Sequence, residues 1–123
     1  MTLRVLLEWI IIFVLSIVFF ASGFSKLADQ HWDLEDFEKL GMSMQMVHMI
    51  GAAEILAALG LFVDRYRMWA ATILAIVSSG AIVVHVVLSD LVEMGGPLVL
   101  GGLSGALVYF ISSTPKEEEP KAE

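Results

Sequence analysis

The apolar residues of this chain run in long blocks rather than in amphipathic stripes. Four blocks stand out, at residues 5–24, 46–63, 68–89 and 97–113. About 20 residues cross a typical hydrocarbon core, with about 17 as the lower limit. Each block therefore reads as a transmembrane helix. The second and fourth lie near the short end, where local thinning of the bilayer accommodates them. The expected fold is all-α, a four-transmembrane-helix bundle. The polar loop at 64–67 is so short that spans two and three must be adjacent and antiparallel.

The segment between spans one and two also carries helix signals. Asp33 is placed to cap an N-terminus, with Glu35 and Asp36 in the first turn. Trp32 and Phe37 match a hydrophobic staple, Lys39 falls in the last turn, and Gly41 stands at the stop. Trp32, Phe37 and Leu40 turn toward the membrane, so this short helix is expected to rest on the extracytoplasmic surface. After residue 113 the character changes to Glu, Lys and Pro with no apolar stripe, and 114–123 is expected to be a disordered acidic tail.

Composition agrees with lipid as the solvent. The chain has 123 residues, enough for one domain, and 58% of them are hydrophobic, too many for a polar exterior around a soluble core. The net charge of −7 comes from acids clustered at 29–38, 90–93 and 117–123. No basic patch exists, which argues against nucleic-acid binding. The absence of cysteine removes thiol exchange, thiolate metal sites and iron–sulfur clusters, and no metal site is expected. Arg4 and Ala21-Ser-Gly flank the first block as they would a secretory signal. The apolar run is too long for one, however, and Glu8 interrupts it early, so a membrane span is expected.

Basic residues set the expected orientation. Arg4, Arg65, Arg67, Lys116 and Lys121 share one side, against Lys26 and Lys39 on the other. The positive-inside rule then places both termini in the cytoplasm.

Helices in lipid associate through small residues that let backbones approach. Gly101 and Gly105 stand at GxxxG spacing, Gly51 and Ala58 lie in span two, and Ser78 and Ala81 share the His85 face of span three. The polar face is thus expected to be the buried seam of the bundle.

Glu54 is the decisive residue. It sits in the middle of span two, where a carboxylate costs on the order of 3 kcal/mol unless it finds a partner or keeps its proton. Helix rise and span direction bring Lys26, Glu54 and His85 into one half of the bundle. Two readings stand level for Glu54: structural hydrogen bonding between helices, or a ligand or proton site. Lys26 alone reads most simply as a snorkelling anchor, and His85 alone as a polar contact to a backbone carbonyl. His48 lies about 120° from Glu54 around its helix, which argues against a shared cluster. Haem ligation by His48 and His85 is conceivable but nothing marks a cofactor cavity, and His31 lies outside the spans.

The pattern resembles the DoxX family of small four-helix membrane proteins. Gly23-Phe24-Ser25-Lys26-Leu27 is similar to the family's G-x-x-K-L element. Glu54, followed by an apolar run to Gly60 and Leu61, resembles its second element, and His85 falls where members often carry histidine. The resemblance implies an integral, multi-pass protein of a bacterial or archaeal plasma (inner) membrane, with residues 1–113 as the DoxX-like domain. It also implies Lys26, Glu54 and His85 as a shared polar site and Gly23 and Gly60 as packing positions. Family members are linked to sulfur-compound oxidation with electrons passed to quinone, and to complexes that cope with oxidative stress.

Three functions follow as expectations. The first is a membrane subunit of a quinone-linked or oxidative-stress oxidoreductase, with quinone as candidate ligand and a partner protein supplying the redox centre. The second is a non-catalytic scaffold that binds partner helices. The third is an oligomeric small-solute transporter. The chain has no catalytic motif of its own, and the expected partners are the bilayer, other proteins or further copies.

Overall fold

The computed structural model describes residues 2–29, 34–89 and 91–113. Five α-helices account for most of them: α1 (Leu3–Leu27), α2 (Leu34–Lys39), α3 (Met44–Gly60), α4 (Arg67–Val87) and α5 (Gly95–Ser113), the last entered through a single 3₁₀ turn at Val92–Met94. No strand occurs among the described residues. Three helices, α1, α4 and α5, are long and apolar enough to cross a membrane, and α3, with 17 residues, is shorter. The protein is an integral membrane protein built as a helical bundle.

Local chemistry fixes the helix ends. The hydroxyl oxygens of Thr2 and Ser43 accept from the amides of Val5 and Met46, each at 3.3 Å, and so cap α1 and α3. The Ser43 cap starts α3 two residues before the apolar block suggests. Gly41 ends α2 at φ +75°, where its amide donates to Glu38 O and that of Met42 to Phe37 O. That pair of hydrogen bonds is the Schellman arrangement, and a glycine takes this φ without the Cβ penalty. Asp33 and Trp32, expected to cap and staple this helix, lie outside the described residues, as do His31 and the tail at 114–123. Pro97 falls in the first turn of α5, where an amide proton has no helical partner in any case.

The long helices form a ring in which α1 packs on α3, α3 on α4, α4 on α5 and α5 on α1. The packed core lies in one half, where Ile12, Leu15, Leu61, Ala71, Leu74 and Leu107 are essentially inaccessible. At the same end, Arg67 donates to Leu61 O at 2.7 Å and lies 5.0 Å from the Trp9 ring centre. It thereby satisfies one of the open carbonyls beyond α3 and ties the α3–α4 turn to α1. Arg4 closes the ring by donating to Phe110 O and Ser113 Oγ at the end of α5. Large apolar side chains such as Ile10, Ile17 and Phe24 project outward from α1 and are half or more exposed, as lipid-facing positions should be.

The glycines divide into two groups. A Cβ on Gly23 would lie 2.5 Å from Gly51 O, and one on Gly51 would lie 2.8 Å from Gly23 O, so α1 and α3 meet backbone to backbone. Gly60 and Gly101 approach Ala70 and Ser78 less tightly, at 3.3 Å. Gly105 corrects the GxxxG expectation within the chain, because a Cβ there meets nothing within 4 Å. Gly105 instead lines a shallow groove between α4 and α5, together with Thr72, Ile76 and Val108.

Candidate functional site

In the half of the bundle away from the core, the helices line a partly open cavity of about 460 Å³. This lies in the range of about 300–1,000 Å³ usual for small-molecule sites. Its apolar walls come from Phe19, Ile50, Val77, Val84 and Leu100, with Phe37 of α2 and Met42 on the side of the α1–α3 connection.

One wall carries a buried ion pair. Lys26 Nζ lies 3.0 Å from Glu54 Oε1 and 3.2 Å from Oε2, and donates to Ser22 Oγ at 2.7 Å. Lys26 is 4% exposed and Glu54 2%. The three ammonium donors are thus met by three oxygens. Lys26 is held in the last turn of α1 and Glu54 ten residues into α3, about 15 Å along it. Ser22 escaped the sequence reading, although its position one turn before Lys26 is the spacing at which helix side chains meet.

The α4 wall carries Ser78 and His85, which are 2% and 4% exposed. Ser78 Oγ and His85 Nδ1 are buried and have no hydrogen-bond partner. His85 therefore shares the cavity with Lys26 and Glu54 but is not bonded to them. Thr72 and Ser79 on the same helix, and Ser104 on α5, donate to the carbonyl four residues back, each within 2.8 Å. Ser78 alone of these four leaves that bond unmade.

His48 is not among the cavity residues. Its Nε2 lies 2.7 Å from Asp29 Oδ1 at the half-exposed corner between α1 and α3. His48 and His85 thus face different surroundings. No group of three or more acidic or histidine side chains that could hold a metal occurs among the described residues.

The Gly-x-x-Lys of α1 and the Gly-x-x-Glu of α3 face each other across this wall, and the model of the DoxX-like family matches residues 10–107. The chain belongs to the DoxX-like family. The match covers all of α3 and α4 and most of α1 and α5, and takes in the residues that line the cavity. No curated protein and no solved structure matches the chain. Membership places this DoxX-like protein among helical membrane proteins, and the chemistry of its cavity must be read from its own side chains.

Proposed function

We propose that this DoxX-like protein is the membrane subunit of an oxidoreductase complex that passes electrons to quinone, with the quinone head group seated in the cavity walled by Lys26, Glu54 and His85. The observation that carries this reading is the cavity itself, an apolar chamber with a fully buried ion pair on one wall and unmet polar atoms on another. Intramembrane ionisable groups facing a cavity mark ligand and proton sites. A partner protein supplies the redox centre.

In this reading residues 1–113 form one membrane domain of four spans, α3 being the short one, followed by a cytoplasmic tail. Both termini are cytoplasmic and α2 rests on the outer surface. Support comes from Arg4, Arg65 and Arg67, which lie 5.0–5.7 Å from the ring centres of Phe110, Tyr66 and Trp9 at the same end of the bundle. Arginine on aromatic rings suits a membrane interface, and an excess of arginine suits the cytoplasmic one.

A second reading, a scaffold whose ion pair only fastens helices, is favoured by the contact of Gly23 with Gly51 beside that pair. Gentle purification followed by mass analysis and an absorption spectrum separates the two. Co-purifying quinone, lost in a folded Glu54→Gln variant together with quinone-linked turnover, is the expected result. Quinone-free protein with unchanged turnover in Glu54→Gln leaves the scaffold.

A further inference from the structure

Resting on the cavity reading above, we infer that α4 grips the ligand through Ser78 and His85, and that the ligand is a flat, largely apolar ring with a hydrogen-bonding oxygen at each end. The Lys26–Glu54 pair lies on another wall, where it shapes the chamber and its polarity, while α4 supplies the hydrogen bonds to the ligand's two oxygens. Three observations lead here.

The first is the state of the polar groups. Lys26 has an oxygen for each of its three donors, from Glu54 and Ser22. Ser78 and His85 are as deeply buried, yet each keeps an unmet polar atom. A buried polar group without a partner costs about 1–3 kcal/mol. The bond that would relieve Ser78 is the one Ser79 makes next door to Ala75 O.

The second is spacing. Ser78 and His85 are two helical turns apart on one face, about 10.5 Å along α4. A hydrogen bond of about 2.8 Å at each end leaves roughly 5 Å between the ligand's polar atoms. Oxygens on opposite carbons of a six-membered ring have that separation. A serine hydroxyl and a neutral imidazole can each donate or accept, so carbonyl and hydroxyl oxygens both fit.

The third is access. Val18, 38% exposed, and the exposed Gly80 belong to the cavity lining. The chamber therefore communicates with the apolar outer surface of the bundle, and an apolar ring reaches it from the bilayer.

The test is calorimetric titration of the full chain in lipid nanodiscs with a short-chain 1,4-benzoquinone, and with a ring of equal size bearing one oxygen. Wild type should bind the two-oxygen ring about five- to tenfold more tightly than the other, and Ser78→Ala and His85→Leu should each erase that preference. Both variants should melt at or above the wild-type temperature, since each removes an unpaired buried group. Wild-type affinity in both variants, with binding lost only in folded Glu54→Gln, overturns the α4 assignment and leaves the cavity reading in place. A fall in melting temperature in both variants overturns it as well, by showing the groups already partnered. Absence of binding by wild type removes the cavity reading and this inference together.

Discussion

Gly23 lies opposite Glu54 and Gly51 opposite Lys26: a Cβ added to Gly23 would be 3.2 Å from Glu54 Cβ, and one added to Gly51 would be 2.9 Å from Lys26 Cβ. Each glycine thus makes room for the root of the charged side chain on the other helix. The two motifs, Gly-x-x-Lys on α1 and Gly-x-x-Glu on α3, form a reciprocal clasp. The ion pair can close at 3.0 Å because the backbones have already met. In lipid, where apolar side chains gain nothing by leaving their surroundings, such close packing and its hydrogen bonds are what hold helices together.

Substitution of either glycine should therefore open the clasp. Gly23→Ala and Gly51→Ala put a methyl within 2.8 Å of a facing carbonyl oxygen, and backbone cannot yield as a flexible side chain can. Overpacking of this kind costs about 1–3 kcal/mol. Gly102→Ala, with nothing within 4 Å, should melt as wild type or slightly higher. Thermal unfolding in one detergent, read by circular dichroism, compares the three.

Much of this was legible in advance, for identifiable reasons. Long apolar blocks reported the helices because lipid imposes length directly. Glu54 announced itself because a charge in the middle of an apolar block needs a partner, whereas Lys26 stands at the end of its block and was marked only by the reach of its stem. Depth alone put His85 level with Lys26 and Glu54, and it lines the same cavity, but depth does not reveal hydrogen bonds, and His85 makes none to Glu54. Ser78 read as a small packing residue, since nothing in a sequence distinguishes a hydroxyl that bonds its own helix from one that does not. Gly105 misled because GxxxG spacing specifies a face and not a neighbour. From one such glycine to the next the helix turns about 40°, enough to face a groove instead of a helix.

Arg67 offers a test of the opposite end. Its Nε donates to Leu61 O, its Nη1 lies 2.7 Å from Asp64 Oδ1, and its guanidinium covers Trp9. Lysine cannot reproduce a planar group that stacks and donates in two directions. Arg67→Lys should cost about 1–3 kcal/mol through the lost carbonyl bond and stacking. Asp64 is 91% exposed, so Asp64→Asn should cost about 0–1 kcal/mol. Equal losses in the two variants, measured by thermal melting, would assign the stabilisation to the ion pair instead.

The proposed orientation can be read chemically because the chain has no cysteine. Single variants Arg65→Cys, in the α3–α4 turn, and Glu38→Cys, on exposed α2, give one thiol each. In intact cells a membrane-impermeant maleimide should label Glu38→Cys and spare Arg65→Cys until the membrane is opened. The reverse pattern would invert the topology, and labelling of both from outside would mean that α3 does not cross.

The ion pair itself separates fastening from function. Removing one member of a buried pair leaves the other charge uncompensated, at a cost of about 3–5 kcal/mol, whereas replacing both by apolar residues of similar volume is often neutral or stabilising. Glu54→Leu and Lys26→Met should each lower the melting temperature strongly, and the double variant should recover most of the loss. If the pair only fastens α1 to α3, the recovered double variant should also regain any quinone-linked turnover of the assembled complex. If the polar wall shapes the chamber for its ligand, stability should return without turnover. The double variant is decisive because it holds the fold constant while removing both charges, and the melting temperature and the turnover rate are read from the same preparation.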